Sequence, residues 1–194
     1  MLKMTTVAAI AILIAVAAGP VAAQTCTLGV YGDAAGTKSL VSPVVGETFD
    51  VHVVMFLEGL VNGVGYTLVG QNLQDFIPVG AAYGPGGGGL NFPNDSNDEF
   101  FSGSNVGLGE CAVGFNGVAI QVAKYTFLTL TASGVEASLT VTGNERASDL
   151  DPTFPVYSDC NGVIAACDIG PALTVEAPVS DASESFGAVK SLFN

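Results

Sequence analysis

His52 is the only histidine of the chain, and so the only side chain able to serve as the base of a Ser–His–Asp arrangement. It follows Asp50 by two residues in an alternating segment, and no Gly-x-Ser-x-Gly elbow occurs to supply a nucleophile. Glycoside cleavage needs two opposed carboxylates. The 18 Asp and Glu residues offer many pairs, but there is no Trp and no dense aromatic run to hold a sugar ring. His52 therefore reads as a solvent-facing or interface strand residue, and a secreted hydrolase is the least favoured functional reading.

Hard oxygen ligands gather at Asp95, Asn97, Asp98 and Glu99, with a second group at Glu145, Asp149 and Asp151. Ca²⁺ accepts such ligands from loops in flexible geometry, although neither group has the Gly and Glu spacing of an EF-hand. The first group is the candidate Ca²⁺ site, weighed against a solvated acidic loop. The run Gly84-Pro85-Gly86-Gly87-Gly88-Gly89 lacks the Gly-Lys-Ser/Thr of a phosphate loop and reads as a flexible surface loop.

Cys26, Cys111, Cys160 and Cys167 form an even set in a chain with an export signal, which points to disulfides. Three pairings are open. The short Cys160–Cys167 excursion, with its Asn161-Gly162 turn dipeptide, is easily closed, leaving Cys26 with Cys111 as the expected long bridge. Four-cysteine zinc is the rival reading, without the Cys-x-x-Cys spacing that would favour it.

These residues must be held by the elements around them. Lys3, the small apolar run Val7–Ala18 and Val21-Ala22-Ala23 have the layout of an export signal over 1–23, cleaved before Gln24. No later apolar run approaches the roughly 18 residues of a spanning helix, so no membrane span is expected after cleavage. About 170 residues remain, one domain's worth. The formal net charge of −13 grows by one negative unit when Lys3 is lost. That balance argues against nucleic acid, which needs clustered cations; it suits Ca²⁺, a basic protein face, or solubility alone.

Alternating segments, 25 glycines and no helical period before Pro178 predict an all-β domain over 24–177. Thr25–Tyr31 reads as an edge strand. In Glu47–Leu57, Phe49, Val51, Val53, Met55 and Leu57 share one face, and Asp50 and His52 the other. Asn62-Gly63 predicts a hairpin turn, with Val64–Val69 returning and Val64, Tyr66 and Leu68 on one face. Short strands fit Phe76–Val79 and Cys111–Phe115. The apolar run Val118–Thr131 predicts a central strand covered on both faces; Val135–Thr142 alternates cleanly, and Leu173–Glu176 closes the set. About eight or nine strands at such intervals predict a β-sandwich. Over 178–194 a linker is followed by a short amphipathic helix, with Asp181 and Glu184 at its start and Phe186, Val189 and Phe193 on one face.

Val45-Gly46-Glu47-Thr48-Phe49-Asp50-Val51 resembles the strand that opens cohesin modules and related carbohydrate-binding-like sandwiches. Leu60-Val61-Asn62-Gly63-Val64-Gly65-Tyr66-Thr67-Leu68 resembles the strand that follows. Asn116-Gly117-Val118, Ala123-Lys124-Tyr125-Thr126-Phe127 and the alternating strand after Gly134 resemble the family's late strand pair. The resemblance spans Gly46–Thr142. It implies a jelly-roll or Ig-like sandwich without catalytic residues, binding a dockerin partner or, in relatives, polysaccharide. The chain departs from that pattern in its Gly-rich insertion at Tyr83–Leu90 and in its cysteines. The tail Ser185–Phe193 also resembles aromatic-Gly-x-x-Lys endings of exported bacterial proteins.

Sugar binding by such modules uses exposed aromatic faces, and Tyr83 and Tyr157, read as loop residues, are the candidates. Tyr66 and Tyr125 read as core. The functional reading is a secreted, non-catalytic binding module, extracellular or at a bacterial cell surface, for a polysaccharide or a protein partner. A structural cell-surface or filament subunit is the alternative, on high Gly and Val content, few Lys and the amphipathic tail.

Overall fold

The computed structural model describes residues 25–98, 100–114, 118–146 and 152–179. The expected export signal, the helix expected from Asp181 onward, Glu99, Asp149 and Asp151 lie outside them. Thirteen strands occur among the described residues: β1 (Cys26–Tyr31), β2 (Leu40–Val41), β3 (Thr48–Leu57), β4 (Gly59–Gln71), β5 (Phe76–Tyr83), β6 (Leu90–Asn91), β7 (Ser104–Gly114), β8 (Ala119–Thr129), β9 (Ala137–Thr142), β10 (Val156–Ser158), β11 (Ile164–Ala166), β12 (Asp168–Ile169) and β13 (Leu173–Val175). Six of them are two or three residues long, which is why alternation alone, needing a longer run, suggested fewer.

Two sheets form. One has the order β12-β1-β3-β8-β5, and the other runs β11-β10-β4-β9-β13-β2, with β7 and β6 added beside β4. The inner faces are those the alternation marks. Val51, Val53, Met55 and Leu57 from β3 meet Val64, Tyr66 and Leu68 from β4 in one buried cluster. At its centre the Tyr66 and Tyr125 hydroxyls hydrogen-bond across the sheets at 2.7 Å, so two fully buried phenols satisfy each other. Burial pushes the Tyr66 phenol well above its ordinary value.

Several expectations are corrected. β3 and β4 belong to different sheets and form no hairpin; the chain changes sheet at Gly59, whose φ of 146° suits glycine. Asn62-Gly63 lies inside β4, where pairing with strands on both edges overrides its turn propensity. β1 is not an edge, since β12 pairs with it in parallel. β8 is central as expected, between β3 and β5, but its residues alternate between buried and half-buried instead of being covered on both faces. It carries a bulge at Val122, where Val53 pairs with Ala123 and Val54 with Gln121. The glycine run is anchored, not loose: Gly84 N–H donates to the Val122 carbonyl at 2.8 Å and Gly89 N–H to Tyr83 at 2.7 Å.

The disulfides are Cys26–Cys167 and Cys111–Cys160, in place of the expected Cys26–Cys111 and Cys160–Cys167. The first follows from the parallel β1–β12 pairing, which sets Thr27 beside Asp168 and hence Cys26 beside Cys167. Cys160 needs no local bridge, because Asp159 closes its own turn. Its carboxylate accepts from the backbone N–H of Asn161 and Val163, each at 2.8 Å. Strand pairing also continues two residues beyond 177, in a parallel bridge between Val44 and Val179.

Candidate functional site

Residues directly opposite in paired strands share a face, so the registers define what the second sheet shows to solvent. One row across β11, β10, β4, β7 and β6 is Ile164, Ser158, Gly63, Gly107 and Leu90. The next is Ala166, Val156, Gly65 and Asn105, extended to Phe92 by reciprocal backbone hydrogen bonds with Asn105. The opposite face of these strands carries Tyr157, Val64 and Val106 into the core. The outer face thus has glycine in its middle and apolar side chains at its sides.

The result is a groove of about 580 Å³. Two glycine-bearing strands at about 4.8 Å each set a trough roughly 10 Å across. Phe92 and Leu90 stand on one side, 62% and 66% exposed, and Ile164 on the other at 47%. Polar groups between them are mutually engaged: the Ser158 hydroxyl donates to Asn62 Oδ1 at 2.6 Å, and Asn105 Nδ2 donates to the Phe92 carbonyl at 3.1 Å. Such a trough offers shape and apolar contact, not a nucleophile or a charged pair.

One end of the groove is closed covalently. Val61 pairs with Ala112 and Gly63 with Gly107, so four residues of β7, Leu108 to Cys111, stand against Asn62 alone. This excursion, with Gly109 at φ 79°, reaches across β4 so that Cys111 bonds Cys160 in the turn between β10 and β11, at a Cα–Cα distance of 6.0 Å.

The residues singled out from sequence fall elsewhere or serve the fold. Tyr157 lies in β10 with its ring in the core, 5% exposed, so no open face remains for a sugar. Tyr83 ends β5, half-buried, edge-on to Tyr125 with centroids 6.1 Å apart. Both are strand residues, not loop residues, because each continues an alternation whose inner positions face the core. Asp95 accepts from the backbone and side-chain nitrogens of Asn97 at 2.9 and 3.0 Å, and Asp98 accepts from Phe101 N–H at 3.1 Å. In this acidic loop the carboxylates hold turns, and among the described residues no group of three or more His, Cys, Asp or Glu is placed to share a metal. His52 lies on the outer face of β3 but is buried there, not open to solvent, and its Nδ1 pairs with the Gln121 side-chain amide at 3.0 Å, not with a hydroxyl.

No family model and no curated protein sequence matches the chain. Solved structures do. The cohesin module of a family 33 glycoside hydrolase from Clostridium perfringens covers 81% of this chain and 99% of its own, at 11% identity and a TM-score of 0.53. The fold is that of a cohesin module. CaCohA2 of Clostridium acetobutylicum, solved in a complex with CaDoc0917, superposes over 79% of this chain and 99% of its own, at 14% identity and a TM-score of 0.53. Within this cohesin-like sandwich the groove occupies the outer face of the sheet built on β4. The sequence signal for it was Gly63-Val64-Gly65 and Gly107-Leu108-Gly109, glycine alternating with apolar residues at strand period, but only the sheet order brings the two segments together.

Proposed function

We propose that the chain is an exported, non-catalytic recognition module that seats apolar side chains of an extracellular protein partner in the glycine-floored groove. The groove carries the reading, since it is apolar at both sides, has Ser158 and Asn105 already hydrogen-bonded, and holds one exposed carboxylate, Glu110, at its rim. Polysaccharide is less well served, because Tyr83 is half-buried against Tyr125 and Tyr157 lies in the core, which leaves Phe92, a ring without a polar handle, as the exposed aromatic of the groove. The complex of CaCohA2 with CaDoc0917 supports a protein partner for this fold, and the net charge of −13 steers association toward a neutral or basic one.

Gly107→Leu provides the test. A Cβ added at Gly107 meets nothing closer than the Leu90 carbonyl at 3.9 Å, so a side chain there fills the trough without disturbing the fold. The oxidised protein and this variant are immobilised, checked for equal thermal unfolding, and exposed to the secreted proteins of the source organism and to a glycan array. The expected outcome is a protein retained by the parent, lost by Gly107→Leu, and no glycan bound. Retention of the same protein by both, or binding of glycan alone, overturns the proposal.

A further inference from the structure

The two disulfides differ in what surrounds them. Cys26 and Cys167 are buried, 4% and 1% exposed, within the core cluster. Cys111 is exposed and Cys160 half-buried, at the outer end of the groove. The hairpin that Cys160 belongs to is fastened independently at its base, where Tyr157 enters the core and Cys167 N–H donates to the Pro155 carbonyl at 2.8 Å. Its tip, Asp159 to Val163, is fastened to the rest of the molecule by Cys160–Cys111 and, one residue earlier, by the Ser158 hydroxyl on Asn62.

We infer that Cys111–Cys160 is a thiol-exchange site, a clasp over the end of the groove that a dithiol opens while Cys26–Cys167 stays closed. Exchange needs a thiolate in line with a disulfide sulfur, so access decides which bridge reacts. A dithiol thiolate attacks Sγ of Cys111, forming a mixed disulfide and displacing the Cys160 thiolate, which takes up a proton. The second thiol of the reagent then displaces Cys111. Two electrons pass from the dithiol to the bridge, leaving two cysteine thiols and the oxidised reagent. The attack on Cys26–Cys167 requires the β1–β12 seam to open first, so that bridge reacts only on unfolding.

Reduction frees the tip but not the base. The three-residue pairing of β10 with β4 persists, while the Asp159 turn loosens and the excursion Leu108–Cys111 loses its hold across β4. The groove, closed at that end when oxidised, becomes open-ended.

The test titrates the oxidised, folded protein with dithiothreitol, traps thiols with iodoacetamide and maps the peptides. Cys111 and Cys160 are expected to be trapped together at a reagent concentration at least about tenfold below that which releases Cys26 and Cys167, in line with access control of exchange. Amide exchange on the partly reduced protein is expected to rise at 159–164 and at 108–111 and to stay unchanged in β3 and β8. Simultaneous opening of both bridges, or earlier release of Cys26 and Cys167, overturns the inference. So does loss of protection in β3 and β8 as soon as Cys111–Cys160 opens.

Discussion

The outer faces of the two sheets are built from opposite materials. On the β12-β1-β3-β8-β5 sheet the surface is filled. Asp50 accepts from Lys124 Nζ at 3.2 Å and from Thr126 Oγ1 at 2.7 Å, His52 pairs with Gln121, and the turn at Gly36 lies so close to Phe56 that an added Cβ would sit 2.5 Å away. Burial pushes the Asp50 carboxyl up, but the hydrogen bonds from Thr126 and Lys124 outweigh it and hold the group below the ordinary aspartate range. Even glycine is spent there: Gly29 lets the Tyr31 ring lie flat, 2.9 Å from where a Cβ would be. On the β4 sheet the Ser158 hydroxyl stands over Gly63, but Gly107 beside it leaves room, since an added Cβ there meets nothing nearer than the Leu90 carbonyl at 3.9 Å. A glycine inside a strand weakens it, and at Gly107 the space it creates opens into the groove.

The largest effect that bears on this contrast is loss of a bridge. Cys26→Ser/Cys167→Ser removes a closure over a sequence separation of 141, against 49 for Cys111→Ser/Cys160→Ser; chain entropy sets these at about 5 and about 4 kcal/mol. The first also leaves two hydroxyls in the core, so thermal unfolding should fall further for it. An equal or larger loss for the second pair would mean that the clasp supports the sandwich as much as the seam does. Next comes the glycine contrast. Gly29→Val is expected to cost about 2 kcal/mol by overpacking, and Gly107→Val to stay within about 0.5 kcal/mol, both read by urea titration. Equal costs would erase the distinction between the two faces.

The smallest effect sharpens the picture of the filled sheet. Asp75, buried just before β5, accepts from the Ser133 hydroxyl, from Thr131 Oγ1 at 2.5 Å and from Ser133 N–H at 3.0 Å. The Ser133 hydroxyl first, then Thr131, hold its carboxyl below the ordinary range. The folded value is depressed, so the stabilisation is present above the unfolded value of about 3.9 and is lost as pH falls through the folded one. Asp75→Asn should therefore lower stability by about 1 kcal/mol at neutral pH and show a shallower decline below pH 4, followed by denaturant midpoints across that range. Parallel declines for both proteins would remove Asp75 from the account.

The strands that could be read from the sequence are those whose own side chains settle the matter. β9, with its strict alternation, and the inner faces of β3 and β4 follow from burial at period two, without knowledge of the neighbours. What could not be read depends on partners distant in the chain. Asn62-Gly63 carries a turn signal and becomes strand because β7 and β10 pair with it from either edge. The ease of closing a short loop favours Cys160 with Cys167, whereas the parallel seating of β12 beside β1 decides the pairing. Tyr157 sits among Pro155, Ser158 and Asp159, which suggest a loop, and only pairing with Val64 turns its ring inward. The groove was the least legible feature, since its glycines look like punctuation until the registers of β4 and β7 are laid side by side.

The Cys26–Cys167 seam also governs how the molecule answers to being pulled. Tension entering ahead of β1 and leaving beyond Val179 runs through one covalent bridge between the first strand and the residue before β12, bypassing the residues between them. Only the segment from Asp168 to Val179 can be drawn out, which at about 3.4 Å per residue is a yield of roughly 40 Å. Everything that shapes the groove lies inside the protected span, so a partner held there would keep its seat under load.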